Sequence, residues 1–128
     1  MSDAAELPLR RGREELGAAE ALLDAGFPTQ AVSRAYLAGF HAASAALAAL
    51  GERPATSTGV ISAFGRHVVG DEGVDHEIGR SLRRLYEDRR EVDYGLADAP
   101  AEEARRAVDD AERLVEATGA WLERRRGA

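Results

Sequence analysis

An all-α protein, an up-and-down four-helix bundle with one additional short helix, is what this sequence predicts, on three observations. Apolar residues recur at three- and four-residue spacing along five segments; alanine fills 26 of 128 positions while aromatics make up 5%; and glycine or proline stands at the junctions. Small side chains let helices approach closely, whereas β-sandwiches draw on branched and aromatic residues that are scarce here. Short connections favour antiparallel neighbours in chain order. The length suits one domain over residues 1–128, with a core from about 10 to 122.

Each element has its own signal. A first helix from about Leu9 to Ala25 carries Leu16, Ala19, Leu22 and Leu23 on one face and stops at Gly26-Phe27-Pro28. The second, about 28 to 50, has a bulky stripe (Val32, Tyr36, Phe40, Ala43, Leu47, Leu50) beside a row of alanines from Ala31 to Ala49, so more than one neighbour can approach it and it is expected at the centre. After the breaker Arg53-Pro54, a short helix from about Ser57 to Val69 presents Val60, Ile61, Phe64, Val68 and Val69, with Thr56, Ser57 and Thr58 as capping residues. The fourth, about 75 to 93, ends near Gly95, where a left-handed cap costs little. The last begins after Pro100, with Ala104, Ala107, Val108, Ala111, Leu114, Val115, Thr118, Trp121 and Leu122 on one face, and Arg124-Arg125-Arg126 reads as a frayed, solvated end.

Composition narrows the function. A net charge of −6 argues against coating duplex DNA, since sequence-independent affinity comes from neutralising phosphates. All 17 basic residues are arginine, and with the alanine excess this fits a coding bias more than selection for phosphate contacts. There is no cysteine, so disulfides and thiolate metal sites are out, and the three histidines lack metal-ligand spacing; no metal and no cofactor are expected. Gly59, Gly65 and Gly70 follow no strand and make no phosphate-cradling loop. The N-terminus has no basic start and apolar run, and no stretch approaches the ~20 apolar residues of a membrane span, so a cytoplasmic protein without membrane contact is expected.

The candidate chemistry lies at the end of the fourth helix. Arg89 falls on the apolar stripe Ile78, Leu82, Leu85, Val92, where a guanidinium needs a partner; Asp93 lies one turn on, and Tyr86 one turn back offers an aromatic face. Arg90 and Tyr94 adjoin them. On the second helix, Arg34 can point at an anionic ligand or at solvent, and His41 can face a groove or settle in the core. The residues alone are equally compatible with an ordinary ion pair at the core's edge.

Three segments, Ala31-Val-Ser-Arg-Ala-Tyr-Leu-Ala-Gly-Phe-His-Ala-Ala43, Thr58-Gly-Val-Ile-Ser-Ala-Phe-Gly-Arg-His67 and Arg89-Arg-Glu-Val-Asp-Tyr-Gly95, stand in the order and spacing of a known family. They resemble the HEPN domain, in particular its bacterial and archaeal branch, over about residues 10 to 122. The resemblance implies a HEPN-like bundle that pairs as a homodimer, with a minimal nucleotidyltransferase as partner in a toxin-antitoxin type of pair. Family ribonucleases pair an arginine with a histidine four to six residues on, the arginine orienting phosphate and the histidine moving protons. This chain keeps Arg89 but places Asp93 and Tyr94 in that window, and Ser57 stands where a histidine is common before the third helix.

That departure separates three expectations. Metal-free RNA cleavage needs one group to accept a proton and another to donate it, and a carboxylate beside an arginine is a poor acid at neutral pH. The leading expectation is a binding module for nucleotide or RNA with weak or no nuclease activity, contacting its ligand through Arg34, His41, Arg89 and Arg90. The second is a metal-independent ribonuclease toxin using Arg89, Asp93 and Tyr94. The third is a structural homodimer whose Arg89 and Asp93 fix the interface.

Overall fold

Alanine dictates the centre of this fold. In the computed structural model, which describes residues 3–95 and 97–127, the helix Pro28–Ala49 (α2) buries Ala31, Ala35, Ala38, Ala42, Ala43, Ala45 and Ala46 completely, together with Val32 and Leu47. It touches every other helix: α1 (Glu6–Asp24), α3 (Ser57–Ala63), α4 (His76–Asp93) and α5 (Ala101–Gly127). Among the described residues there is no strand. The fold is the expected all-α bundle, with α1, α2, α4 and α5 as its long members and α3 as the short one.

Close approach across α2 depends on Gly39. A methyl group at that position would lie 2.8 Å from Leu85 Cδ1 of α4 and 3.0 Å from Leu114 Cδ2 of α5. Both leucines are fully buried, in an interior packed closely enough that their displacement is felt by neighbours. At its far end α4 stops as read, with Gly95 at φ +67° taking the left-handed conformation that ends the helix. The connection onward is fastened to the start of α2, where Ala99 N–H donates to Thr29 Oγ1 at 3.0 Å.

Three details differ from the sequence reading. Helix α1 begins three residues earlier than expected, at Glu6, because Asp3 Oδ1 accepts from Ala5 N–H at 2.8 Å and its carbonyl accepts from Glu6 N–H. The third helix keeps its α geometry only to Ala63 and widens into a π-helical stretch, Phe64–Asp71. The wider turn carries Phe64, Val68 and the adjacent Val69 inward together, a trio that an α-turn would spread around the axis. The C-terminal arginines are helical to Gly127 and tied down: Arg125 donates to Glu72 at 2.9 Å, and Arg126 Nε donates to Asp3 at 2.7 Å, joining the two ends of the chain.

A charged seam joins α4 to α5. Asp110, 5% exposed, accepts from Arg84 Nε at 3.1 Å and Nη2 at 2.9 Å, from Arg113 at 2.8 Å and from the buried Ser81 hydroxyl at 3.3 Å. Arg84 also donates to Glu77 at 2.7 Å. The buried carboxylate is thus fully paired, as burial of a charge demands. Its half-buried neighbour Asp88 is not so favoured: burial, together with Glu103 and Asp110 on α5 and Glu91 on α4, pushes that carboxyl up to about 6, with Arg106 alone opposing.

Two stability measurements test this packing. Gly39→Ala is expected to cost about 1–3 kcal/mol by overpacking, while Gly17→Ala, where an added methyl meets nothing within 4 Å, gains roughly 0.5–1 kcal/mol of helix propensity; urea unfolding of both should give opposite signs. Folded Asp88 holds its proton up to about pH 6, whereas an unfolded aspartate loses it near ~3.9. Between those values the folded state binds more protons, so stability falls as pH rises. Asp88→Asn should remove that fall and raise stability at neutral pH by on the order of 1 kcal/mol, allowing for solvent screening of a half-exposed group; an unchanged slope in the variant would contradict the assignment.

Candidate functional site

The last turns of α4 carry Tyr86, Arg89, Arg90 and Asp93, Tyr94 caps its end, and helical spacing sorts the five into two rows. Arg89 and Asp93 form one, at i and i+4, with Arg89 Nε donating to Asp93 Oδ2 at 2.6 Å. Tyr86, Arg90 and Tyr94 form the other, at i, i+4 and i+8, with the Arg90 guanidinium 5.7 Å from the Tyr86 ring centre and 5.6 Å from that of Tyr94.

Two contacts from α2 complete the first row. The Ser33 hydroxyl donates to Asp93 Oδ1 at 3.1 Å, so both carboxylate oxygens are engaged. The Tyr36 ring lies under the Arg89 guanidinium at 4.8 Å. The aromatic face beneath Arg89 is therefore Tyr36, a residue of another helix, and Tyr86 serves Arg90 instead. Tyr36 is itself backed by Phe40 at 5.9 Å and Tyr86 at 6.1 Å between ring centres. Held at Nε by Asp93 and on its face by Tyr36, Arg89 has two η nitrogens with no protein acceptor among the described residues.

The five residues of α4 and its cap, with Tyr36 of α2 and Ser57 from the start of α3, line an open cleft of about 370 Å³. All three tyrosines of the chain stand in it. Tyr36 is 2% exposed and its hydroxyl has no partner among the described residues, while Tyr94 is 70% exposed. No imidazole lines the cleft. The arrangement offers guanidinium N–H groups and aromatic faces, which suit an anion attached to a flat ring.

Arg34 and His41 belong to a different surface. Seven residues apart, they share the face of α2 that looks onto α1, and Glu15 of α1 lies between them: Arg34 Nη1 donates to it at 3.0 Å, and it lines a small depression with His41, Arg11 and Glu14. Burial holds the His41 imidazole below its ordinary pKa in spite of Glu15. The structure thus brings together Arg89, Arg90, Asp93 and Tyr94 and sets Arg34 and His41 apart from them. Sequence reasoning missed Ser33 and Tyr36 as members of the site, although their three-residue spacing puts them on one face of α2. Of the capping residues it named, Thr56 is the cap, its Oγ1 accepting from Gly59 N–H at 3.0 Å, and Ser57 stands on the cleft wall instead. Among the described residues no cluster of three or more His, Asp or Glu could hold a metal ion, and no helix is long and apolar enough to cross a membrane.

Bundle and cleft together define the class: a small helical protein that presents a restrained arginine at the end of one helix. The chain belongs to the HEPN domain family, whose sequence pattern matches residues 5–121. It is 34% identical over 103 residues to a protein of Methanocaldococcus jannaschii named a putative toxin, covering 80% of this chain and 77% of that one. It is 35% identical over 115 residues to a UPF0332 protein of Thermotoga maritima, covering 89% and 87%. A UPF0332 protein of Gloeobacter violaceus is 36% identical over 89 residues, covering 70% and 71%.

If Asp93 holds Arg89, loss of the carboxylate should free the guanidinium. Asp93→Asn is expected to speed hydrogen exchange of the Arg89 Nε–H, followed by NMR, by about two- to fivefold, the loss of a partly exposed ion pair. Ser33→Ala should act in the same direction more weakly, and Glu15→Gln should leave that signal where it was.

Proposed function

We propose that this HEPN protein binds RNA or nucleotide in the cytoplasm through the Arg89 cleft, as the partner of a minimal nucleotidyltransferase in a toxin-antitoxin type of pair, with weak or no nuclease activity. The observation that carries this reading is the state of Arg89: oriented by Asp93 and Tyr36, yet with both η nitrogens unused among the described residues. This arginine offers a single Nε to the carboxylate, which leaves its η nitrogens open to a ligand. The tyrosines beside it supply faces for a base. The relative named a putative toxin supports the toxin-antitoxin part of the reading. A homodimer, with the ends of α4 from two protomers near each other, belongs to the same proposal.

Against strong nuclease activity stands the lack of an imidazole: no histidine lines the cleft. Asp93, the residue in its place, is bonded to Arg89 and Ser33. The ribonuclease reading, with Arg89, Asp93 and Tyr94 as its residues, keeps one observation in its favour, the name of that same relative.

Purified protein incubated with an RNA pool in EDTA separates the two. Arg89→Ala is expected to weaken RNA or nucleotide binding by about tenfold or more, with Arg34→Ala within about twofold of wild type, since Arg34 is spent on an exposed pair with Glu15. Cleavage that vanishes in Arg89→Ala would make the protein a metal-independent ribonuclease. Unchanged binding in Arg89→Ala would remove the cleft from the function.

A further inference from the structure

Resting on that reading of the cleft, the geometry allows its ligand to be specified. Tyr94 is the most exposed large hydrophobic side chain among the described residues, at 70% against 51% for Phe27 and 45% for Leu7. It does not hang loose at the helix end. Arg90, itself stacked on Tyr86, lies 5.6 Å from the Tyr94 ring centre, so the ring is braced on the Arg90 side and otherwise exposed to solvent. Beside it the Arg89 η nitrogens stand without protein acceptors among the described residues.

Charge and size limit what such a site can take. With a net charge of −6 the chain as a whole does not attract a long polyanion, and Glu87 and Glu91 flank Arg90 and Tyr94 on the outer side. Recognition must be concentrated in a few contacts. A cleft of about 370 Å³ lies at the small end of ligand sites. A paired base in a duplex keeps both faces within its own stack and cannot offer one to a tyrosine, whereas an unpaired base can.

We propose that the cleft takes one unpaired nucleotide unit, its base stacked on Tyr94 and its phosphate on the Arg89 η nitrogens. The unit is either a free nucleoside monophosphate or one residue of a single-stranded RNA, the two sharing the same base-plus-phosphate chemistry.

The test is fluorescence anisotropy of a short labelled single-stranded oligoribonucleotide, with its duplex and free nucleoside monophosphates as competitors. Tyr94→Ala should weaken single-strand binding roughly 5- to 100-fold, and Tyr94→Phe, which keeps the ring, should stay within about twofold of wild type. The duplex should compete poorly. One phosphate contact, at Arg89, should give a shallow salt dependence, a log–log slope of about −0.7. Free monophosphates that compete fully identify the mononucleotide as ligand, and weak competition identifies the strand; either fits the proposal. It is overturned if duplex and single strand bind alike, or if Tyr94→Ala binds as wild type. In the latter case, binding that still needs Arg89 leaves the cleft reading standing without the stack, and binding indifferent to both residues removes both. Sedimentation of Tyr94→Ala guards the interpretation: a shift toward monomer with unchanged affinity per protomer would make the exposed ring a subunit contact, and would also overturn the proposal.

Discussion

The smallness of one helix surface sets everything else. Because α2 presents methyl groups and the bare backbone of Gly39 where most helices present branched chains, α4 and α5 lie close against it. That closeness places short side chains in range of one another across helices. Ser33 and Tyr36 stand one helical turn apart on α2, and Tyr36 is three residues before Gly39, so the approach that Gly39 permits also delivers Asp93 to a serine hydroxyl and Arg89 to a tyrosine face. With a larger residue at Gly39 the bundle would open at the point where the site is assembled. Packing and function are here the same geometry.

The charged groups divide by what they contribute. Asp110 is buried and its pairing with Arg84, Arg113 and Ser81 is a condition for α4 and α5 to meet at all, since an unpaired carboxylate there would be costly. Arg89 and Asp93 are a third or more exposed, at 35% and 42% of their side chains, and an exposed pair of that kind contributes little to stability. Its effect is on direction: three groups from two helices fix where the guanidinium points, and pre-organisation of that sort favours ligand binding by removing an ordering cost.

The sequence made the bundle legible because each helix repeats its message every three to four residues. The buried face of α5 contains every position that spacing assigns to it, from Ala104 to Leu122, and adds Asp110 and Gly119. Relations inside α4 were equally open to reading, and the Arg89–Asp93 pair stands at i and i+4 as expected. Relations between helices were not. Ser33 and Tyr36 are tied to Asp93 and Arg89 across some sixty and fifty-three residues, and no local pattern states which faces will meet. Arg34 shows the cost: one residue from Ser33 is about 100° around the helix, enough to turn it from α4 toward Glu15 of α1. The π-helical stretch was hidden for a related reason, since only the demand to bury Val68 and Val69 together selects the wider turn.

An arginine without its histidine remains to be understood as chemistry. Where an imidazole would carry protons, this chain has a carboxylate that accepts from a guanidinium at one oxygen and from a hydroxyl at the other. Those two bonds tie Asp93 to the orientation of Arg89, whatever else its remaining lone pairs accept. Tyr36 lies buried under Arg89, and Tyr94 stands exposed beside Arg90. What stands in place of the histidine is a cleft lined by two arginines, three tyrosines, a serine and one carboxylate.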